Sequence, residues 1–389
     1  MTRRAIRMLC VVPDLNVGGA ERHLVTLLTR IDRDRFEPSV ICIGEEGVFF
    51  EELITAGVSA RALHLGKMDA PRALRELVRE MRRRQPDVVT VRGYNAEALG
   101  RLAARIAGVR STILWAHNMG DVEPYGCIRA VGDRLLDRWT TAYFGVADAQ
   151  RCALVDIFHY PEAKIRILHN GVDSAEFALG GDVRLRAELG LSAQDRVVGI
   201  VAALRPEKDH ETFLRAVRLI VDVRPSTRFL VVGDGPALPQ LQALCGDLEI
   251  DSNVAFLGAR TDVARILRVM DAFTLSSRTE CFPISVLEAM ATGLPAVCTE
   301  VGGMPEMVVD GVTGYLVPVG DARGLADRLL HVLSDPALAK RMGRAGRSRV
   351  EAEFELGHSV QAAERAISET VWFGAQGTAS ADDGMEWQR

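Results

Sequence analysis

The chain has 389 residues, a formal net charge of -5, 48% hydrophobic and 25% charged residues, which is the composition of a soluble globular protein. That length exceeds one ordinary core and sets an expectation of two domains of about 150–200 residues each. The charge gives no strong attraction to nucleic acid, no apolar run approaches the length of a membrane span, and the seven scattered cysteines argue for a reduced, cytoplasmic protein without a disulfide framework.

The opening Met1-Thr2-Arg3-Arg4 carries the charge of a signal-peptide start, yet the apolar run 8–12 is too short for an h-region and stops at Pro13-Asp14. Ile6–Val12 therefore reads as a first buried strand. Gly18-Gly19-Ala20-Glu21-Arg22 follows and opens a helix expected over 23–30. The glycines either let the backbone approach an anionic ligand at the helix start or serve a plain turn. Asp32-Arg33-Asp34 has the D-x-D form of a metal motif but lies among charges between helix and strand, as a solvated loop does. Further strands are expected at 39–43, 87–91, 112–116, 142–146 and 165–168. A helix from Pro71 to Arg84 sets Arg72, Arg75, Arg79, Arg82, Arg83 and Arg84 beside Leu74, Leu77, Val78 and Met81. It is either a peripheral contact for anionic lipid or an ordinary surface helix with a charged outer face. Trp115-Ala116-His117-Asn118 ends the strand 112–116. A histidine there donates to a phosphate or sugar hydroxyl, acts as a base, or bonds a neighbouring loop.

Asn170-Gly171-Val172-Asp173 and Gly180-Gly181 interrupt the pattern and place a boundary near residue 178. The charge is +2 before it (25 basic, 23 acidic) and -7 after it (22 basic, 29 acidic). Strands are then expected at 196–202, 228–232, 254–257, 272–275 and 296–298. Continuous rather than alternating hydrophobicity implies parallel strands covered on both faces. Two blocks of strand–helix alternation imply an α/β protein of two doubly wound, Rossmann-like domains, 1–178 and 179–354, with strand carboxyl ends facing across a cleft. A last helix near 355–373 precedes a Gly/Ala/Ser/Asp-rich tail, 374–389, expected to be disordered.

The chemistry concentrates in the second half. Arg205-Pro206-Glu207-Lys208 follows a strand and offers a guanidinium fork and a point charge to a diphosphate, or is a solvated turn. Gly233-Asp234-Gly235-Pro236 resembles the start of a dinucleotide fingerprint without its third glycine and is read first as a turn. Glu280-Cys281-Phe282-Pro283-Ile284-Ser285-Val286-Leu287-Glu288 joins a strand to a helix. Glu280 falls on the turn and Glu288 inside the helix, facing the same side about 10 Å apart. Between them the helix start at Pro283, Ile284 and Ser285 frames an anion site with the free backbone N–H groups that follow the proline. Carboxylate, anion hole, carboxylate fits a nucleotide-sugar. Gly302-Gly303-Met304-Pro305-Glu306 is another glycine turn followed by an acid, and Asp310-Gly311 reads as a turn. No H-E-x-x-H, Cys/His cluster or Walker loop calls for a bound metal.

In order, Val17-Gly18-Gly19-Ala20-Glu21-Arg22, Asn170-Gly171-Val172-Asp173, Arg205-Pro206-Glu207-Lys208, Glu280-Cys281-Phe282-Pro283, Glu288-Ala289-Met290-Ala291 and Gly302-Gly303-Met304-Pro305-Glu306 resemble the retaining, nucleotide-sugar-dependent glycosyltransferases of family 4, with the GT-B fold. The resemblance covers about residues 5–370. It implies that Glu280 contacts hydroxyls of the transferred sugar, with Phe282 in the same loop, and that Glu288 contacts the ribose. Lys208 and a nearby arginine would neutralise the diphosphate, Gly19 would lie against it, and His117 would sit at the sugar near the acceptor. It further implies an acceptor-binding front domain, a last helix packed back on it, and a metal-independent reaction with no cofactor beyond the UDP- or GDP-linked donor. Two positions depart from the family pattern. Ala203 stands where the family arginine precedes the lysine by five residues, leaving Arg205 as a displaced candidate, and Cys281 stands where glycine is usual.

The expected function is transfer of a sugar from a nucleotide-diphosphate donor to a hydroxyl of a glycan or lipid-linked acceptor in bacterial polysaccharide or glycolipid assembly. The expected location is cytoplasmic, peripheral to the inner face of the plasma membrane if the 71–84 helix binds lipid. The alternatives are a nucleotide-sugar epimerase or phosphorylase on the same architecture, a nicotinamide-dependent oxidoreductase, and a non-catalytic sugar-nucleotide sensor. The sugar, nucleobase and acceptor depend on a few loop side chains that the motifs do not identify.

Overall fold

The computed structural model of the chain describes residues 4–16, 18–117 and 127–376. Within them the short apolar runs pair into two wholly parallel sheets. Contacts divide the chain into two compact units, Met1–His169 with Ser359–Arg389, and Asn170–His358.

The strands of the first unit are β1 (Ile6–Val12), β2 (Phe36–Cys42), β3 (Ser59–Ala62), β4 (Val88–Val91), β5 (Ser111–Trp115), β6 (Ala142–Gly145) and β7 (Ile165–Ile167). They lie in the order β3-β2-β1-β4-β5-β6-β7. Leu9, Val11, Ile41, Val89, Val91 and Leu114 share one core with Ala73, Leu77 and Met81, while Met8, Cys10, Val40 and Val88 are equally buried. Both faces of the sheet are therefore covered, which is why these strands read as unbroken apolar runs. The order reverses between β1 and β4, the point at which such sheets open a ligand crevice beyond the strand carboxyl ends.

The same core corrects one reading of the arginine-rich helix, Ala70–Arg84. Its apolar side packs inside the domain, so it has no free apolar face to lay into lipid. Arg72, Arg75, Arg79, Arg82 and Arg83 point outward, while buried Glu80 binds Arg61, Arg83 and Arg84 at 2.5, 2.7 and 3.0 Å. Any contact with anionic lipid is therefore by charge alone.

Chain returns to this unit through the helix Leu356–Gln376. Glu364 anchors it, accepting from Asp32 N (2.8 Å) and Arg35 Nη1 (2.9 Å). Of the tail expected at 374–389, residues 374–376 extend this helix, since Ala375 and Gln376 are good helix formers; the remainder lies outside the described residues.

The second unit orders β8 (Arg196–Val201), β9 (Thr227–Val232), β10 (Val254–Gly258), β11 (Ala272–Leu275), β12 (Ala296–Thr299) and β13 (Gly314–Val317) as β10-β9-β8-β11-β12-β13. Here the reversal falls between β8 and β11. The boundary lies at 169/170 rather than 178, because 170–178 is tied to the later chain. Val172 N donates to Phe354 O and Leu356 N to Val172 O, both at 3.0 Å, and Arg347 Nη1 donates to Phe177 O at 2.7 Å. The same bonds keep 355–358 in the second unit.

Candidate active site

The loops that leave β8 and β11 meet at the reversal point of the second sheet. Chain from β8 closes a short 3₁₀ turn, Pro206–Lys208, and then enters the helix His210–Val223. Asp209 stands between them at φ 45°, buried, and caps that helix by accepting from Thr212 N (3.3 Å) and Thr212 Oγ1 (2.8 Å). Arg278, from the loop after β11, reaches the same carboxylate at 3.1 Å, and its backbone N–H donates to Glu207 O at 2.8 Å. Ser276 Oγ donates to Asp209 O at 2.9 Å. The two loops are thus fastened by backbone and side chain together.

That fastening brings Lys208 to Glu280. Lys208 Nζ donates to Glu280 Oε1 at 2.6 Å, and Ser277 Oγ donates to the same oxygen at 2.7 Å. Thr299 Oγ1 in turn holds Ser277 O at 2.7 Å. One carboxylate oxygen is fixed by two donors, and no protein donor among the described residues takes Oε2. Gly302 has φ 53° and passes so close that a Cβ there would fall 1.7 Å from Glu280 O, so only glycine lets the 301–303 turn brace this loop. Asn170 Nδ2 donates to Phe282 O at 2.8 Å, and the Phe282 ring packs edge-on against Phe354 at 5.4 Å. Pro283 caps the helix Ile284–Ala291 without a side-chain hydrogen bond, which leaves its first N–H groups uncapped by any side chain. Glu288 lies half-buried on the second turn.

The remaining candidates of this unit are placed as follows. Arg205 shares the Lys208 turn, is exposed, and has no side-chain partner among the described residues. Gly233, at φ 139°, approaches the 202–203 backbone so closely that a Cβ would meet Ala202 O at 2.0 Å, which makes glycine a packing requirement there. Cys281 is a buried thiol. His210, also buried, is held at about 4 by burial first and then by the Lys208 charge.

The first unit carries its own cluster beyond the ends of β1, β4 and β5. The helix opened by Gly18 runs Gly19–Arg30, four residues longer at its start than expected, because Gly19 and Ala20 already adopt helical geometry. A Cβ at Gly19 would meet no atom within 4 Å. Arg92, directly after β4, is 4% exposed and lies 4.1 Å over the Trp115 ring. Its Nη1 reaches His23 Nδ1 at 2.9 Å and His117 Nε2 at 3.1 Å. Burial, then the Arg92 charge, hold both histidines well below their ordinary 6.5. Asn118 lies outside the described residues. Asp32 and Asp34 form a turn, with Asp34 N donating to Asp32 Oδ1 at 2.9 Å.

Sequence reasoning missed Arg92, Ser277 and Arg278, and gave Asn170 no role beyond marking the boundary and belonging to a family motif. Arg92 carried the same signal as His117, a polar residue at the carboxyl end of an apolar run. Ser277 and Arg278 had no signal of their own, since their roles arise from contacts with distant chain.

Residues 183–349 match the model of the group 1 glycosyl transferases, and residues 17–176 match that of glycosyltransferase family 4. The N-acetyl-alpha-D-glucosaminyl L-malate synthase of Bacillus anthracis is 31% identical over 256 residues, 65% of this chain and 66% of that protein. The D-inositol 3-phosphate glycosyltransferase of Mycolicibacterium gilvum is 33% identical over 271 residues, spanning 69% and 60%. The Escherichia coli UDP-Gal:alpha-D-GlcNAc-diphosphoundecaprenol alpha-1,3-galactosyltransferase is 24% identical over 339 residues, spanning 83% and 86%. The chain thus spans about two thirds of the first of these relatives and less of the second. Among solved structures, Anabaena HepE in complex with UDP and glucose superposes with a TM-score of 0.84 at 21% identity, covering 93% of this chain and 99% of that one. Sucrose-phosphate synthase of Thermosynechococcus elongatus gives 0.81 at 18%, covering 95% and 100%. With two parallel-sheet Rossmann-like units and both family models matched in sequence order, the chain belongs to the family 4, group 1 glycosyltransferases and has their GT-B fold.

Proposed function

We propose that this protein is a retaining, metal-independent hexosyltransferase that takes a sugar from a UDP- or GDP-linked donor to a hydroxyl of a glycan or lipid-linked acceptor in polysaccharide or glycolipid assembly. The observation that carries the reading is the Lys208–Glu280 pair at the sheet reversal, beside a helix start with no side-chain cap. Lys208 donates one N–H to Glu280 and keeps two for phosphate oxygens. Glu280 Oε2 accepts from a sugar hydroxyl, Glu288 from the ribose, and the N–H groups of Ile284 and Ser285 face the diphosphate. As the glycosidic bond lengthens, negative charge gathers on the leaving phosphate while the sugar becomes oxocarbenium-like. Lys208 and Arg205, set against it in advance, lower that barrier without reorganising. The departing phosphate then takes the proton of the incoming hydroxyl on the same face, which preserves the anomeric configuration.

In this reading Glu280 is a hydrogen-bond partner and not a nucleophile: Lys208 and Ser277 hold Oε1, and the sugar hydroxyl takes Oε2. Metal independence is supported by Asp32 and Asp34, which shape a turn, and by the lysine at the donor loop. The relatives, by their names, use acceptors as different as malate, inositol phosphate and a diphosphoundecaprenol-linked sugar; here the acceptor belongs to the first unit. No helix among the described residues is long and apolar enough to cross a membrane, and a cytoplasmic enzyme that meets anionic lipid through its arginine stripe accords with a lipid-linked acceptor.

A thermal-shift panel of UDP-, GDP- and ADP-sugars tests the donor: one that binds only the native state must raise the melting temperature, by about 2.7 kcal/mol of stability at a hundredfold excess over Kd. Incubation with the selected donor and a mixed acceptor pool should then give an α-linked product from an α-linked donor. Inverted product, an epimerised donor or dependence on added divalent ion would each refute part of the reading.

A further inference from the structure

The contact between Arg92 and two histidines fixes more chemistry than a distance alone conveys. A guanidinium has only N–H groups to offer and no acceptor. The ring nitrogens 2.9 and 3.1 Å from Arg92 Nη1, His23 Nδ1 and His117 Nε2, must therefore present lone pairs. Each neutral imidazole then carries its hydrogen on the other nitrogen, Nε2 of His23 and Nδ1 of His117. An imidazolium has no lone pair, so neither ring can take a second proton while the contact stands.

The arginine that imposes this is itself buried and closely packed. Its guanidinium rests 4.1 Å over Trp115, which is 1% exposed and packs edge-on against Phe144 at 5.2 Å. Its backbone N–H donates to Val11 O at 3.1 Å. The other titratable groups facing it are Cys10, kept neutral by burial, and Glu21, whose charge partly offsets the guanidinium.

We propose that Arg92 is a positioning residue that locks His117 with its proton on Nδ1, so that His117 offers the substrate a hydrogen-bond donor and does not act as a base. The consequence for catalysis rests on the reading of His117 as a substrate-facing residue; the tautomer does not. It follows that the His117 contact is insensitive to acid. It follows too that this ring does not take the hydroxyl proton released in transfer.

The test uses the full chain with ¹⁵N-labelled histidine and no substrate. Two-bond ¹H–¹⁵N correlation spectra report which ring nitrogen is protonated, with His117 and His23 assigned through H117Q and H23Q. The expected wild-type spectrum shows His117 as the Nδ1–H tautomer, unchanged from about pH 8 to about pH 5.5, a window spanning the ordinary histidine value. In R92Q the guanidinium that requires the Nε2 lone pair is gone, so the His117 ring should populate the Nε2–H tautomer, while burial still disfavours the imidazolium. Hydrolysis of the donor selected by the panel should then fall about tenfold in kcat/KM, while R92K, which keeps charge and several N–H donors, retains the Nδ1–H tautomer. A wild-type Nε2–H tautomer, or an imidazolium at pH 6, overturns the proposal even if R92Q fails to fold, as does a folded R92Q with an unchanged tautomer. Wild-type turnover in H117Q would instead overturn the substrate-facing reading and leave the tautomer assignment standing.

Discussion

Replacing Gly19 with alanine separates a ligand contact from a structural requirement by the sign of two measurements. Gly19 is the first residue of the helix Gly19–Arg30, and a Cβ built on it meets no protein atom within 4 Å. Its backbone does not lie in the left-handed region, so alanine fits without strain. Alanine removes the entropic penalty of glycine, about 0.5–1 kcal/mol in a helix interior and less in the first turn. For a unit of this size that raises the melting temperature by about 1–3 °C. If the donor diphosphate lies against Gly19, the added methyl displaces it by about 1 Å, and a misplacement of that size costs on the order of 10²-fold in rate. The expected result is a slightly more stable protein with about a hundredfold lower turnover, read by calorimetry and initial rates on one preparation. Gly302→Ala is the contrasting control, because its Cβ would strike Glu280 O and destabilise the fold. Full activity in Gly19→Ala would remove Gly19 from the donor site, and a melting temperature several degrees lower would refute the open space at this position.

Lys208→Ala removes the charge proposed to face the leaving group and should lower kcat by about 10²–10³-fold at saturating donor; near-normal turnover would assign that role elsewhere. His210 is buried neutral with its pKa near 4, against 6.5 when unfolded. The unfolded chain therefore binds the extra proton first, so this contribution is intact above pH 6.5 and is lost as pH falls towards 4. It amounts to about 3 kcal/mol; a folded His210→Gln should show a shallower fall in melting temperature over that range, and an identical slope would exclude His210 as its source. Flotation with anionic vesicles should be lost in Arg72/Arg75/Arg79/Arg82→Glu and in wild type at high salt, since each arginine near the surface is worth about 1 kcal/mol. Equal flotation of the variant, or salt-resistant binding, would exclude the charged stripe.

The fold was legible wherever burial leaves a compositional trace. The apolar runs around Leu9, Val89, Leu114, Val198 and Phe273 were readable as strands because both sides of each face protein. β3 and β13 escaped that signal. β3 is a short edge strand, Ser59-Ala60-Arg61-Ala62, with half of its residues exposed and no apolar run. β13 begins at Gly314, whose glycine reads as punctuation but is needed because a Cβ there would fall 1.8 Å from Ala296 O. The boundary was displaced for a related reason: Gly180-Gly181 is the stronger local signal, whereas the bonds from Val172 to Phe354 and Leu356 involve residues nearly two hundred positions apart.

For the site, the same distinction separates residues that offer chemistry from those that aim it. Glu280, Lys208 and His117 stand out in sequence because a charged or ionisable group at the carboxyl end of an apolar run has few structural reasons to be there. Nothing local marks Ser277 or Thr299, which are ordinary loop and strand residues until the fold sets them against Glu280 Oε1 and Ser277 O, and the motif that marks Asn170 gives no hint of its bond to Phe282 O. The spacing of Glu280 and Glu288 likewise suggested two carboxylates gripping one ligand, yet it contained no hint that Glu280 already holds Lys208. That pairing alters the physical picture of the proposed donor site. A lysine waiting alone for phosphate would be a mobile, hydrated charge. One bonded at 2.6 Å to a carboxylate that a serine also holds is pre-aimed, with its remaining N–H groups directed away from Glu280. Its charge is partly balanced until a diphosphate arrives. If these residues form the donor site, as proposed, it is assembled before the donor binds, and the cost of ordering it falls on folding instead of on each catalytic cycle.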